Sequence, residues 1–199
     1  MDERVRSTPS VATAAARAAR RTIEQIARSA IPALADFAVV FMVDGRSIVG
    51  VASAHATREG EKLLRALRRT YRVNRADLQS TVAQVVRTGQ PALRRTIIHE
   101  HDARPPRGSV ADLHRRLGCR SALVLPIRVG ETVTGAVSLC YAQSGRTYAR
   151  FDLAGARRIA QEIGFTTPPP LPHATPRLRA ATGDARRHAS VRRRMVPRN

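Results

Sequence analysis

Residues 120–142 read RSALVLPIRVGETVTGAVSLCYA, in which Gly130, Glu131 and Thr132 separate two apolar runs rich in β-branched residues. The runs cover residues 122–129 and 133–141, and a short connection that contains glycine between such runs predicts a β-hairpin. Because neither run alternates strictly between apolar and polar residues, we expect helices to cover both faces of the sheet. Pro126 donates no ladder hydrogen bond, so it predicts a bulge or an edge position.

The rest of the chain places helices and further strands around this hairpin. Asp77 is the expected N-cap of one of these helices, with Leu78 on its apolar stripe, and Phe151 is an expected buried residue of the last helix. Apolar periodicity predicts helices at residues 11–30, 59–71, 77–87, from Ser109 or Asp112 to 117, and from 152 onward. Strands are predicted at residues 36–43, 47–55 and 91–98.

Several of these stretches resemble the GAF domain family. The resemblance rests on LGCRSALVLPI (117–127), GAVSL (135–139), YARFDL (148–153), ADFAVVFMVDG (35–45) and VAQVVRTGQP (82–91). It implies an α+β fold with an antiparallel five- or six-stranded sheet and helices on both faces. The expected organisation is an N-terminal helical segment (1–34), a GAF-like domain (35–164) and a disordered tail rich in arginine and proline (165–199).

The resemblance also implies a function, that of a non-catalytic sensory or regulatory domain that binds a small molecule or a partner protein in bacterial signal transduction. The sequence is similar to the GAF modules of bacterial histidine kinases and multidomain serine phosphatases, so a kinase or phosphatase is an expected partner. The helix at 11–30 is a candidate dimer contact. The expected pocket lies between one sheet face and the middle helices, and no particular ligand or cofactor is indicated. The ligand-pocket candidates are Phe41, Val43, His55, Tyr71, Arg120 and Ser121.

The net charge of +20 favours a different class of function, because clustered cations bind polyanions. The alternative interpretation is therefore a nucleic-acid or acidic-partner binding protein. Its binding elements would be the arginine-rich segment 165–199 and the arginines on helix 59–71. The same helix arginines are also typical of a solvated surface, and the charge is spread along the whole chain.

Two groups of residues could carry chemistry. The cluster His99, Glu100, His101 and Asp102, together with His114, contains metal-ligand residue types, but its loose spacing is more typical of a solvated loop. Cys119 and Cys140 are too few for a disulfide framework. They leave a cysteine-dependent methionine sulfoxide reductase as a further alternative, although cysteines at such positions are more often buried apolar side chains. The chain lacks an apolar run long enough to span a bilayer, so we expect a cytoplasmic protein.

Overall fold

The computed structural model describes residues 11–97 and 105–167. The helices are α1 (Val11–Ser29), α2 (Arg58–Thr70), α3 (Thr81–Thr88), α4 (Val110–Leu117) and α5 (Asp152–Thr166). The strands are β1 (Phe37–Asp44), β2 (Ser47–His55), β3 (Arg72–Asn74), β4 (Ala92–Arg94), β5 (Ser121–Val129) and β6 (Thr132–Tyr141). The predicted cluster at residues 99–102 and the part of the predicted tail from residue 168 onward lie outside the described residues.

The six strands form one antiparallel sheet in the order β3-β2-β1-β6-β5-β4. The predicted hairpin is confirmed, with β6 beside β1 at the centre of the sheet. Pro126 pairs with Ala136 of β6, whereas β4 pairs only with residues 122–124 of β5. Pro126 therefore lies beyond the end of β4, where its missing N–H removes no ladder bond.

Helices cover both faces of the sheet, as predicted. Alternate residues of β1 point in opposite directions, so Val39 and Phe41 join a core with α2, α3 and α4, while Ala38 and Val40 join a second core with α1 and α5. Helix α1 contributes Ile23 and Ala27 to this second core, and Ala30 joins it directly after the helix ends. The sheet thus separates two apolar layers, and the layer beneath α2 to α4 contains the candidate site.

Helices α2, α3 and α4 start after side-chain caps, and one predicted cap is wrong. Helix α3 begins at Thr81, because the Ser80 side chain accepts a hydrogen bond from the Ala83 amide. Asp77 instead accepts from the Gln79 amide over 2.8 Å in the preceding loop. Leu78 consequently lies outside the helix and is 80% exposed, not on a buried stripe.

Two further expectations differ from the structure, and one short strand was not predicted. Phe151 is 81% exposed because it precedes the first residue of α5 rather than facing the sheet. The strand expected at 91–98 is paired only over Ala92–Arg94. Strand β3 was not predicted, because three residues show no period; its pairing with β2 defines it.

Arg68, expected on a solvated helix face, is partly buried at the open edge of β2. Its Nη1 donates to the Val51 carbonyl over 2.8 Å. Arg28 of α1 forms an ion pair with Glu61, whose carboxylate accepts from the His55 amide over 3.0 Å. These contacts cover backbone groups of β2 beyond the short partner β3, which protects the sheet edge. Within the described residues, no helix combines the length and apolar character needed to cross a membrane.

Candidate functional site

A cavity of about 490 Å³ lies between the sheet and helices α2 to α4. Its sheet side is mostly apolar. It is formed by Phe37, Val39 and Phe41 from β1, Ala122 and Val124 from β5, and Ser138 and Cys140 from β6. These side chains face inward because strand residues alternate between the two faces of the sheet. An apolar hollow of this size falls within the range of small-molecule sites, about 300–1,000 Å³.

The helix side of the cavity is more polar. The loop before α3 contributes a carboxylate and a hydroxyl, and the first turn of α3 contributes a second hydroxyl. Helix α4 contributes an imidazole. The polar lining residues there are Asp77, Gln79, Ser80, Thr81, Arg94 and His114. Apolar walls with a few convergent polar groups are the usual composition of a ligand-binding pocket.

Three aromatic rings stand in sequence across the cavity. The Tyr71 ring centroid lies 4.7 Å from that of Phe41 and 6.3 Å from that of His114, both in tilted arrangements. Burial raises the pKa of the Tyr71 phenol, and the hydrogen bond with the Ser80 side chain offsets only part of this effect. Tyr71 therefore stays protonated at neutral pH and offers an O–H group beside the apolar walls.

Both cysteines line this cavity. The Cys119 thiol is hydrogen-bonded with Cys140 and also donates to the Ser121 carbonyl over 3.5 Å. The hydrogen bond with Cys140, followed by burial, raises the pKa of the Cys119 thiol far above its ordinary value. Since the thiolate is the reactive form, these surroundings keep Cys119 in its less nucleophilic state at neutral pH.

Of the six sequence-predicted site residues, Phe41 and Tyr71 line the cavity. Val43 packs against the same core but is not part of the cavity wall. His55 is buried outside the wall: its ring stacks on Phe37 with 5.6 Å between centroids, and its Nδ1 accepts from the Thr57 amide over 2.9 Å.

Ser121 and Arg120 support the cavity from outside its wall. The Ser121 hydroxyl donates to the Arg94 carbonyl and accepts from the Tyr148 amide, both over 3.0 Å. Arg120 is exposed, and its carbonyl accepts from the Ile97 amide over 2.8 Å. Together these contacts tie β5 to the end of β4, which holds Arg94 at the cavity.

The polar lining residues were not predicted as ligand contacts. Asp77 was expected to cap a helix, and His114 was considered only as a metal ligand. Several polar residues around a helix N-terminus, as at Asp77, Gln79, Ser80 and Thr81, were the available signal for such a site. Arg94 carried no comparable local signal, because its position depends on the pairing of β4 with β5. Within the described residues, no group of three or more His, Cys, Asp or Glu side chains could hold a metal ion.

Comparisons with known proteins agree with this architecture. The sequence model of the GAF domain matches residues 18–166. The crystal structure of the GAF-B domain of DevS from Mycobacterium smegmatis is 18% identical with a TM-score of 0.52, covering 74% of this chain and 91% of that chain. The crystal structure of the blue-light absorbing form of the PixJ GAF domain from Thermosynechococcus elongatus is 15% identical with a TM-score of 0.54. The match covers 78% of this chain and 88% of that chain.

A third similar structure belongs to an enzyme, the type II free methionine-R-sulfoxide reductase from Thermoplasma acidophilum. It is 10% identical with a TM-score of 0.53, covering 76% of this chain and 93% of that chain. At these identities the likeness to all three structures shows the fold alone. No curated protein matches the chain.

Proposed function

The chain belongs to the GAF domain family, and on this premise we propose that it is a non-catalytic sensory domain that binds a small molecule in bacterial signal transduction. The observation that carries the proposal is the cavity of about 490 Å³ with apolar walls and a polar helix side. Its location between the sheet and α2 to α4 lets a bound molecule contact both layers. The protein would act in the cytoplasm.

A ligand changes the output of such a domain only if it favours one of two packed states. The cavity is lined by residues of α2, α3 and α4, so occupancy would shift these helices against the sheet. The opposite face of the same sheet carries α1 and α5. We expect these two helices to pass the shift to a second copy of the chain or to a partner such as a histidine kinase or phosphatase.

A ligand screen with a filled cavity as control tests the proposal. The full chain is incubated with nucleotides, haem and small metabolites, and a bound molecule raises the melting temperature. Ala122→Leu places a larger side chain in the cavity and should abolish the shift. Ala154→Leu makes the same exchange on the exposed side of α5 and should retain it.

The result of this screen decides between binding in the cavity and binding elsewhere. A melting shift that survives Ala122→Leu would contradict binding in the cavity. The absence of any ligand-induced shift in the parent protein would contradict the sensory proposal.

The second candidate function is a cysteine-dependent methionine sulfoxide reductase. The observation that favours it is the contact of the Cys119 and Cys140 thiols at the cavity wall. The raised pKa of Cys119 opposes it, because a reductase thiol must be available as thiolate. Turnover of free methionine sulfoxide that disappears in Cys119→Ser or Cys140→Ser would establish this activity, and lack of turnover in the parent protein would exclude it.

A further inference from the structure

Two opposite charges stand at the same end of the cavity. Asp77 lies in the loop that leads to the α3 cap, Ser80, and Arg94 donates from Nε to the Thr81 hydroxyl over 3.3 Å. Both residues therefore border the N-terminal end of α3, and both line the cavity. Within residues 11–97 and 105–167, neither forms an ion pair.

The interior behind these charges is apolar and large. Phe37, Phe41, Leu67 and Val124 form its walls. At about 490 Å³ the hollow has room for an aromatic or long aliphatic group. Asp77 and Tyr71 both line this hollow.

We propose that the cavity takes a zwitterion of the amino-acid class, with its ammonium on Asp77, its carboxylate on Arg94 and a large apolar side chain inside. This inference rests on the proposed function, since it assigns a chemical class to the ligand of the same cavity. The juxtaposition that carries it is one carboxylate and one guanidinium, both without ion-pair partners in the described residues, at the mouth of an apolar hollow.

The chemistry of the two groups sets the orientation. A guanidinium binds a carboxylate through paired, charge-assisted hydrogen bonds, and the N-terminal end of α3 favours the same negative charge. Asp77 uses one oxygen for the Gln79 amide, which leaves acceptor capacity for an ammonium group. A ligand with a single charge would satisfy only one of the two residues, so both charges contribute to selection.

An indole series tests the proposal with the full chain. The protein contains no tryptophan, so the fluorescence of an indole ligand is free of tryptophan background. L-Tryptophan carries both charges, tryptamine only the ammonium, indole-3-propionate only the carboxylate, and indole neither. We expect L-tryptophan to bind about tenfold more tightly than either singly charged compound, the usual order for one charged hydrogen bond. Indole should bind most weakly.

Charge-removing variants identify the partner of each group. Asp77→Asn should weaken the binding of L-tryptophan and tryptamine by about tenfold and leave the affinity for indole-3-propionate unchanged. Arg94→Gln should weaken the binding of L-tryptophan and indole-3-propionate and leave the affinity for tryptamine unchanged. The matched controls are Asp44→Asn and Arg95→Gln, because both residues are exposed and neither lines the cavity. They should leave all four affinities as in the parent chain.

The outcomes separate this proposal from the one on which it rests. Equal affinities for indole and L-tryptophan, loss of affinity in the control variants, or failure of all four probes to bind would overturn the zwitterion assignment. Another molecule whose binding is lost in Ala122→Leu would then still support a sensory cavity. If the ligand screen also fails, the proposed function fails with it.

Discussion

The imidazole of His55 lies directly over Gly60, so that a Cβ on this glycine would overlap the ring. His55 ends β2 and Gly60 lies in the first turn of α2. The ring also stacks on Phe37 and accepts from the Thr57 amide. The absence of a side chain at Gly60 thus lets α2 dock closely against the end of β2.

Gly60→Ala should destabilise the protein by about 1–3 kcal/mol, because the added methyl forces the ring or the helix to move. Helix propensity alone would predict that the exchange stabilises the protein, since alanine is favoured over glycine in helices by about 1 kcal/mol. Urea unfolding followed by circular dichroism measures the change. The double variant Gly60→Ala with His55→Ala should be less destabilised than the sum of the two single variants, because removal of the ring relieves the overlap. An additive double variant would contradict this contact.

His55 should make stability depend on pH near neutrality. Burial lowers the pKa of the folded imidazole below 6.5, with partial opposition from Glu61 and Asp36. The unfolded chain therefore takes up the proton first, and stability falls as the pH decreases through 6.5 towards the folded pKa. Unfolding free energies over this range should decline less steeply in His55→Gln than in the parent. Parallel curves would show that His55 does not titrate differently on folding.

Asp36 should control stability in acid. Its carboxylate accepts from the Ala142 and Ser144 amides over 2.7 and 2.9 Å, which fastens the exit of β6 beside β1. Burial acts to raise the pKa of Asp36, but the hydrogen bonds from Ser144 and Ala142 outweigh it and leave the pKa below 3.8. The stabilisation is present above 3.8 and is lost as the pH falls through the folded pKa.

Asp36→Asn should therefore cost about 1–3 kcal/mol at neutral pH, the usual loss for a charged hydrogen-bond acceptor in a buried site. The difference from the parent should shrink in acid, which unfolding curves at matched pH values can show. Asp44→Asn is the control and should have a much smaller effect, because Asp44 is an exposed carboxylate at the far end of β1. A difference that stays constant into acid would contradict the role of the ionised carboxylate.

Arg68→Met should expose the edge of β2 while keeping an apolar stem over Gly50. It removes the hydrogen bond to the Val51 carbonyl, so we expect a loss of about 1–2 kcal/mol. Because an uncovered strand edge invites pairing between chains, light scattering should also show more aggregation during heating. Arg69→Met removes an exposed arginine from the same helix and should change neither property. Equal behaviour of the two variants would contradict the protective role of Arg68.

The positions at which sequence reasoning succeeded and failed differ in the range of their interactions. The start of α4 after Ser109, one of its two predicted starts, and the hairpin turn at Gly130 involve neighbours in the chain, so local patterns predicted them. The α3 cap was misplaced because Asp77 and Ser80 are both good capping residues, and packing of α3 against the sheet selects Ser80. Phe41 and Tyr71 were predicted at the cavity since the resemblance implies a pocket between one sheet face and the middle helices.

The amino-acid sequence by itself determined the hairpin and most of the element order, because apolar periodicity and turn residues act over a few positions. Its resemblance to GAF sequences indicated the family, which the family model confirms. Only the tertiary structure decided that Asp77 and Arg94 line the same cavity, that the two cysteines touch, and that Arg68 covers a strand edge. These contacts join residues far apart in the chain, and the packing of the helices on the sheet selects them rather than any local preference.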